Sequence, residues 1–271
     1  MLVIVRPPGA AFRDAISTHP DRLRIDVSRA RAQHASFCRA LEDAGVPLLR
    51  LPEEPDLPDA TFVSDTLIAL SRPLLPGTAV IVAARPALAA RQPEVSSVLR
   101  AAIDHLPAGT RIELVKDPGT LEGGDVIVYG HRIAIGISDR TDIRGAMVVA
   151  ARARHLGYRV FTVRVTDRLH LATAVTPVGP DTLIGTAAGF ASLDAAGPDI
   201  APPDEIRRLL LPDAELPGAN VLALNGRAFL ASGNPTAARL LQETGLAVHE
   251  LELDEFALAD GGPTCLVNVL P

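Results

Sequence analysis

Short β-branched runs recur along the whole chain: LVIV (2–5), TFVSDTLIAL (61–70), TAVIVA (78–83), RIELV (111–115), DVIVYGHRIAIGI (125–137), RVFTVRV (159–165), TLIGT (182–186), NVLALNGRAFLA (220–231), AVHELEL (247–253) and CLVNVL (265–270). Turn residues at Tyr129-Gly130-His131 and Asn225-Gly226 join pairs of them as hairpins. Between them lie helical patterns. Over 27–44, Val27, Ala30, His34, Phe37, Cys38 and Leu41 recur at helical spacing and Gly45 closes the segment. Similar patterns cover 94–106, 142–156 and 235–244, the last opening on Pro235 and ending at Gly245. The order strand pair, helix, strand returns about every 50 residues, a rhythm that points to a radial repeat. The reading is one α/β domain over residues 1–271, with the Pro-rich stretch 197–218 as an irregular connection.

Composition narrows the function classes. A net charge of −6 argues against nucleic acid or an anionic membrane as the main partner. No apolar stretch reaches the ~18 residues of a membrane-crossing helix. The opening MLVIVRPPGAAFRD is broken too soon by Arg6 and its prolines to read as a signal peptide, so a cytoplasmic location is expected. Two cysteines, Cys38 and Cys265, form no disulfide framework, and with scattered histidines they offer no zinc-ligand spacing. With no Trp and 3% aromatics, the core is expected to be Ala, Val, Leu and Ile.

The chemistry-bearing residues fall in a few segments. Cys265 follows the turn Ala259-Asp260-Gly261-Gly262 and precedes the last apolar run, whereas Cys38 lies on the inner face of a helical pattern and reads as core. The glycines are expected to let a ligand approach and to expose the thiol. A nucleophilic thiol needs an acid–base partner. Of seven histidines, His170 in DRLHLATAV sits at the expected start of a strand; the other six read as structural or surface residues. LEGGDVIVYG displays Glu122 on a tight turn. In DLPDATFVSDT, Asp59 and Asp65 are evenly spaced, which puts both on one face of an extended chain and suggests a cationic ligand. Arg85 and Arg140, each at an expected strand end, suit a carboxylate clamp. Taken together these residues describe a pocket for a zwitterionic amino acid with a cationic side chain.

The segments IDVSRARAQH, LPDATFVSD, AARPALAARQPE, LEGGDV, ISDRTDIRGA, RLHLAT and ADGGPTC, in this order over nearly the whole chain, resemble the dimethylarginine dimethylaminohydrolase family of the pentein superfamily. The resemblance implies a five-bladed α/β propeller of ββαβ units around a central pocket. It implies Cys265 as nucleophile, His170 as general acid and base, and Glu122 as support for the imidazole and the guanidinium. It assigns Asp65 to the guanidinium nitrogens, Asp59 to the α-ammonium, and Arg85 with Arg140 to the α-carboxylate; Asp260 is a further candidate. The substrate implied is Nω-methylated arginine, with no metal or cofactor, and a homodimer is compatible with the family. Ser64 and Ala172 stand where the family usually has Glu and Lys, and arginine deiminases and amidinotransferases carry Asp at the latter position. These departures leave another substituted arginine, deimination or amidino transfer as alternatives, with a non-catalytic propeller as the remote one. The stretch 6–22 is the lid candidate.

Overall fold

The computed structural model describes residues 1–71 and 79–271, so Thr78, first residue of the TAVIVA run, lies outside them. The chain opens with β1 (Leu2–Val5), α1 (Val27–Asp43) and β2 (Leu48–Arg50). Four units of strand, strand, helix and strand follow. The first two are β3 (Leu67–Ser71), β4 (Ala79–Ala83), α2 (Gln92–Ile103) and β5 (Arg111–Leu114), then β6 (Val126–Tyr129), β7 (Arg132–Ile137), α3 (Ile143–His155) and β8 (Arg159–Arg164). The next are β9 (Val175–Pro177), β10 (Thr182–Thr186), α4 (Ala187–Ala195) and β11 (Arg207–Leu211), then β12 (Leu222–Leu224), β13 (Arg227–Ala231), α5 (Pro235–Gln242) and β14 (Ala247–Leu251). A last strand, β15 (Asn268–Leu270), ends the series.

These strands form five three-stranded sheets among the described residues. In each, the middle strand pairs antiparallel with the first and parallel with the third. A parallel pair cannot be joined by a tight hairpin, so a helix carries the chain across. The exception in connectivity is the sheet β15-β1-β2, which the last strand completes by pairing Leu2 with Leu270 and Val3 with Val269. The result is the five-bladed α/β propeller that the family resemblance implied, and it accounts for the radial rhythm of the sequence. Strands of three to six residues are too short to stand alone; apolar clusters between blades hold them, such as Val80 and Val82 of β4 against Ala146, Val149 and Ala153 of α3.

Local signals explain most boundaries. Asp26 caps α1 by accepting from the Ser28 and Arg29 backbone N–H groups, and Asp142 caps α3 through Gly145. Several expectations about these elements fail. The segment 61–66 is not strand: a 3-10 turn covers Val63–Asp65 and β3 begins only at Leu67. The stretch 197–218 contains β11, whose parallel partner β10 supplies the pairing that its own sequence does not advertise. Nor is the core purely aliphatic, because Phe12, Phe37, Phe62, Phe229 and Phe256 gather in the cluster beside Cys265.

The inner strands β3, β6, β9, β12 and β15 surround a cavity of about 480 Å³ along the propeller axis. Asn268 of β15 donates to the carbonyls of Val63 and Leu67, at 3.2 and 2.7 Å, which fastens the Asp65 turn to the strand behind Cys265. No helix among the described residues is long and apolar enough to cross a membrane.

Candidate active site

His170 is not in a strand. It caps the 3-10 turn Leu171–Thr173 ahead of β9, where extended backbone (φ −140°, ψ 164°) turns the ring inward. Its Nε2 lies 2.9 Å from Glu122 Oε2, and Glu122 is fully buried. A second acid, Asp125, holds the turn itself, accepting from the Leu171 N–H at 3.0 Å and from the Ser138 hydroxyl at 2.7 Å. The two glycines of LEGGD are there for contact. A Cβ on Gly124 would lie 2.7 Å from His170 Nδ1, and one on Gly123 would lie 2.0 Å from the Ser64 carbonyl oxygen. Burial opposes protonation of His170, but Asp65, the bond to Glu122 and Asp125 outweigh it and raise the imidazole to about 9. The ring is therefore a cation at neutral pH.

Asp59 and Asp65 both line the cavity, though by turns and not by strand alternation. Burial works against the Asp65 charge, yet His170, Arg91 and the Gly124 N–H at 2.9 Å hold its carboxyl below the ordinary range. Burial lifts Asp59 to about 6 despite Arg91 and a bond from the Ile16 N–H. Asp59 Oδ1 accepts that bond, while Oδ2 is buried without a hydrogen-bond partner among the described residues.

The arginine assignment needs correction. Arg85 does not line the cavity. Its carbonyl accepts from Leu121, and its guanidinium turns outward to Asp117 at 2.5 Å and the Gly119 carbonyl at 3.2 Å. Among the described residues the cavity arginines are Arg140, whose Nη1 is 3.6 Å from Glu122 Oε1, and Arg91, six residues after Arg85. Arg91 is buried. Its Nη1 donates to Asp65 at 3.0 Å and Glu122 at 3.2 Å, Nη2 donates to Glu94 at 3.0 Å, and Nε lies 3.8 Å from Asp59. Burial would discharge it, but Asp65, Glu94 and Glu122 hold it firmly protonated. Burial in turn raises Glu94 to about 7, against the pull of Arg91. Asp65, Glu122 and His170 are close enough to grip a metal ion together. The Arg91 guanidinium already lies against both of those carboxylates.

The thiol side is neutral in character. Cys265 sits in the 3-10 turn Pro263–Leu266, half-buried and lining the cavity, with its N–H bonded to the Gly262 carbonyl at 3.0 Å. Burial and the Asp65 carboxylate push its thiol up, opposed by bonds from the Gly262 backbone, Asn220 and Thr264. The expected role of the preceding glycines is not what they do. A Cβ on Gly261 would meet the Phe62 ring at 2.4 Å and one on Gly262 would meet Asn220 at 2.7 Å, so both serve packing within the protein. Asp260 borders the cavity but spends its carboxylate on Thr18, accepting from the N–H at 2.7 Å and the hydroxyl at 3.0 Å. Of the lid candidate 6–22, Ile16 reaches the cavity, while Arg6 and Phe12 are built into the interior. Cys38 is core, as expected.

Cys265, His170, Asp65, Asp59, Arg140 and Asp260 thus meet at one cavity, Glu122 stands behind it, and Arg85 does not join them. Ser64 and Ala172 line the same cavity. Sequence reading missed Arg91, Asp125 and Asn220, although all three lie inside segments already singled out, AARPALAARQPE, LEGGDV and NVLALNGRAFLA.

Known proteins resemble this chain over nearly its whole length. The arginine deiminase family model matches residues 55–188. The chain is 32% identical to N(G),N(G)-dimethylarginine dimethylaminohydrolase of Streptomyces coelicolor, covering 97% of this chain and 94% of that protein. It is 28% identical to the enzyme of the same name from Pseudomonas aeruginosa, over 97% of each. A solved structure of the Pseudomonas aeruginosa protein, a cysteine-to-serine mutant complexed with citrulline, superposes with a TM-score of 0.84 at 25% identity, covering 98% of this chain and 97% of that one.

Proposed function

The chain belongs to the dimethylarginine dimethylaminohydrolase family, and we propose that it hydrolyses Nω-methylated arginine to citrulline and a methylamine through a covalent intermediate on Cys265. The observation that carries the reading is the pair Asp59 and Asp65 on the cavity that holds Cys265, with Asp59 Oδ2 buried, without a hydrogen-bond partner among the described residues and with Arg91 Nε no nearer than 3.8 Å. A buried carboxylate oxygen with no donor suits a further cation, and a guanidinium amino acid brings two.

A guanidinium carbon is a poor electrophile because its charge is delocalised, so it must be fixed against the nucleophile. Asp65 grips its nitrogens, Asp59 faces the α-ammonium and Arg140 the α-carboxylate. Arg91, not Arg85, is the second arginine of the pocket, and it keeps the acids in place. Burial and Asp65 disfavour the thiolate in the free protein; the arriving cation offsets Asp65, and the thiol proton leaves to solvent as the thiolate forms. Sγ attacks the guanidinium carbon, and His170, a cation at neutral pH, passes a proton to the departing amine. Water then attacks the S-alkylthiouronium carbon with His170 as base, and expulsion of the sulfur releases citrulline. Glu122 orients the imidazole through both steps. No metal or cofactor takes part, one catalytic unit spans residues 1–271, and a cytoplasmic location suits the reaction.

Deimination of arginine itself is the second reading, drawn from the family model over 55–188. Ala172 argues against it, since it leaves no acid two residues after His170 to hold the second edge of an unsubstituted guanidinium. Incubation with asymmetric dimethylarginine, monomethylarginine and arginine, assayed for citrulline and released amine, separates the two. Faster turnover of arginine would overturn the proposal.

A further inference from the structure

The active end of the propeller is built by five loops, one leading into each inner strand. Four present side chains singled out in the sequence: Asp65 before β3, Glu122 before β6, His170 before β9 and Cys265 before β15. The fifth, leading into β12, presents Asn220, buried and lining the same cavity. Its amide has a fixed orientation. Oδ1 accepts from the Thr264 backbone N–H at 2.9 Å and from the Thr264 hydroxyl at 2.9 Å. A backbone N–H can only donate, so the oxygen must face it and the nitrogen must face away. That nitrogen, Nδ2, lies 3.5 Å from Cys265 Sγ. Gly262 allows the approach, since a Cβ there would meet Asn220 Cγ at 2.7 Å.

Resting on the reading that Cys265 is the nucleophile, we propose that Asn220 is the thiolate-stabilising residue of this site. Its N–H can donate to sulfur but not accept from it, so it favours the anion over the thiol. Among the described residues the other charged groups on the cavity are Asp59, Asp65, Arg91, Arg140, His170 and Asp260. Of these, Asp65 acts directly against the thiolate. Asn220 is thus a neutral counterweight, fixed by the same loop that carries the sulfur.

The test is the pH profile of Cys265 alkylation by iodoacetamide, read on the Cys265 peptide by mass spectrometry so that Cys38 does not interfere. Asn220→Ala is expected to move the apparent thiol pKa up by about one unit and slow labelling at neutral pH about tenfold. For methylated arginine, kcat should fall while KM stays within about twofold. A folded Asn220→Ala with the wild-type labelling profile overturns the proposal. Should Ala unfold the loop, Asn220→Asp keeps both bonds from Thr264 and sets a carboxylate against the sulfur. Its thiol pKa must rise further, and an unchanged profile there overturns the proposal equally. Labelling needs no substrate, so a chain that prefers another guanidine would leave this result standing.

Discussion

The two sides of the cavity are made of different material. On one, the loops of residues 59–170 crowd Asp59, Asp65, Arg91, Glu94, Glu122, Arg140 and His170 into contact, nearly all of them buried. On the other, the loops at 217–222 and 259–267 offer amide, hydroxyl and backbone donors around a single thiol. Buried charges are stable only when paired, so the first side is rigid and hungry for one more cation. The second has no cation of its own, and burial with the Asp65 carboxylate pushes its thiol up. Recognition and reactivity are thereby separated in space and joined by the ligand.

Removing the reactive atom from the neutral side has the largest effect. Cys265→Ser should lose turnover by on the order of 10⁴-fold or more while keeping its melting temperature and its affinity for methylated arginine, measured by calorimetry. A matching loss of binding would mean that the two sides are not separate. On the charged side, Glu122→Gln should cut kcat by about 10²–10⁴-fold. His170 donates its proton only below its raised pKa of about 9, so the alkaline limb of the pH–rate profile lies there, and losing the Glu122 bond moves that limb to lower pH. A limb that stays in place would detach Glu122 from the imidazole.

The two arginines sharpen the contrast. Arg91→Ala strands Asp65, Glu94 and Glu122 without their cation and should destabilise the fold by about 3–5 kcal/mol in denaturant melts. Arg85→Ala breaks an outward pair whose Asp117 side chain is 80% exposed and one bond to the Gly119 carbonyl. It should cost under about 1 kcal/mol and leave kinetics within about twofold. Equal effects of the two would place Arg85 back in the site.

These residues also mark where sequence reading stops. The propeller rhythm was legible because β-branched runs, Asn225-Gly226 and helix-closing glycines are local signals. The expected strand at 61–66 and connection at 197–218 failed because a turn at Asp65 and the pairing of β11 are set by distant partners. Asp59 and Asp65 were found for a reason that does not hold, since neither lies on extended chain. Arg91 went unread because spacing cannot tell which of two arginines in one segment turns inward; the Arg85–Leu121 bridge decides it. Asn220 carries no sequence signal at all, its partner being 44 residues away at Thr264.

The measurement closest to the centre of this account is the titration of the Cys265 thiolate by ultraviolet absorbance, with and without a bound cationic arginine analogue. Cys38, whose thiol burial pushes up, serves as a silent background. The thiolate should be scarce in the free protein at neutral pH and should appear when the analogue binds, but not when neutral citrulline does. A thiolate already present at neutral pH without ligand, or one that citrulline induces equally well, would contradict the division of labour between the two sides.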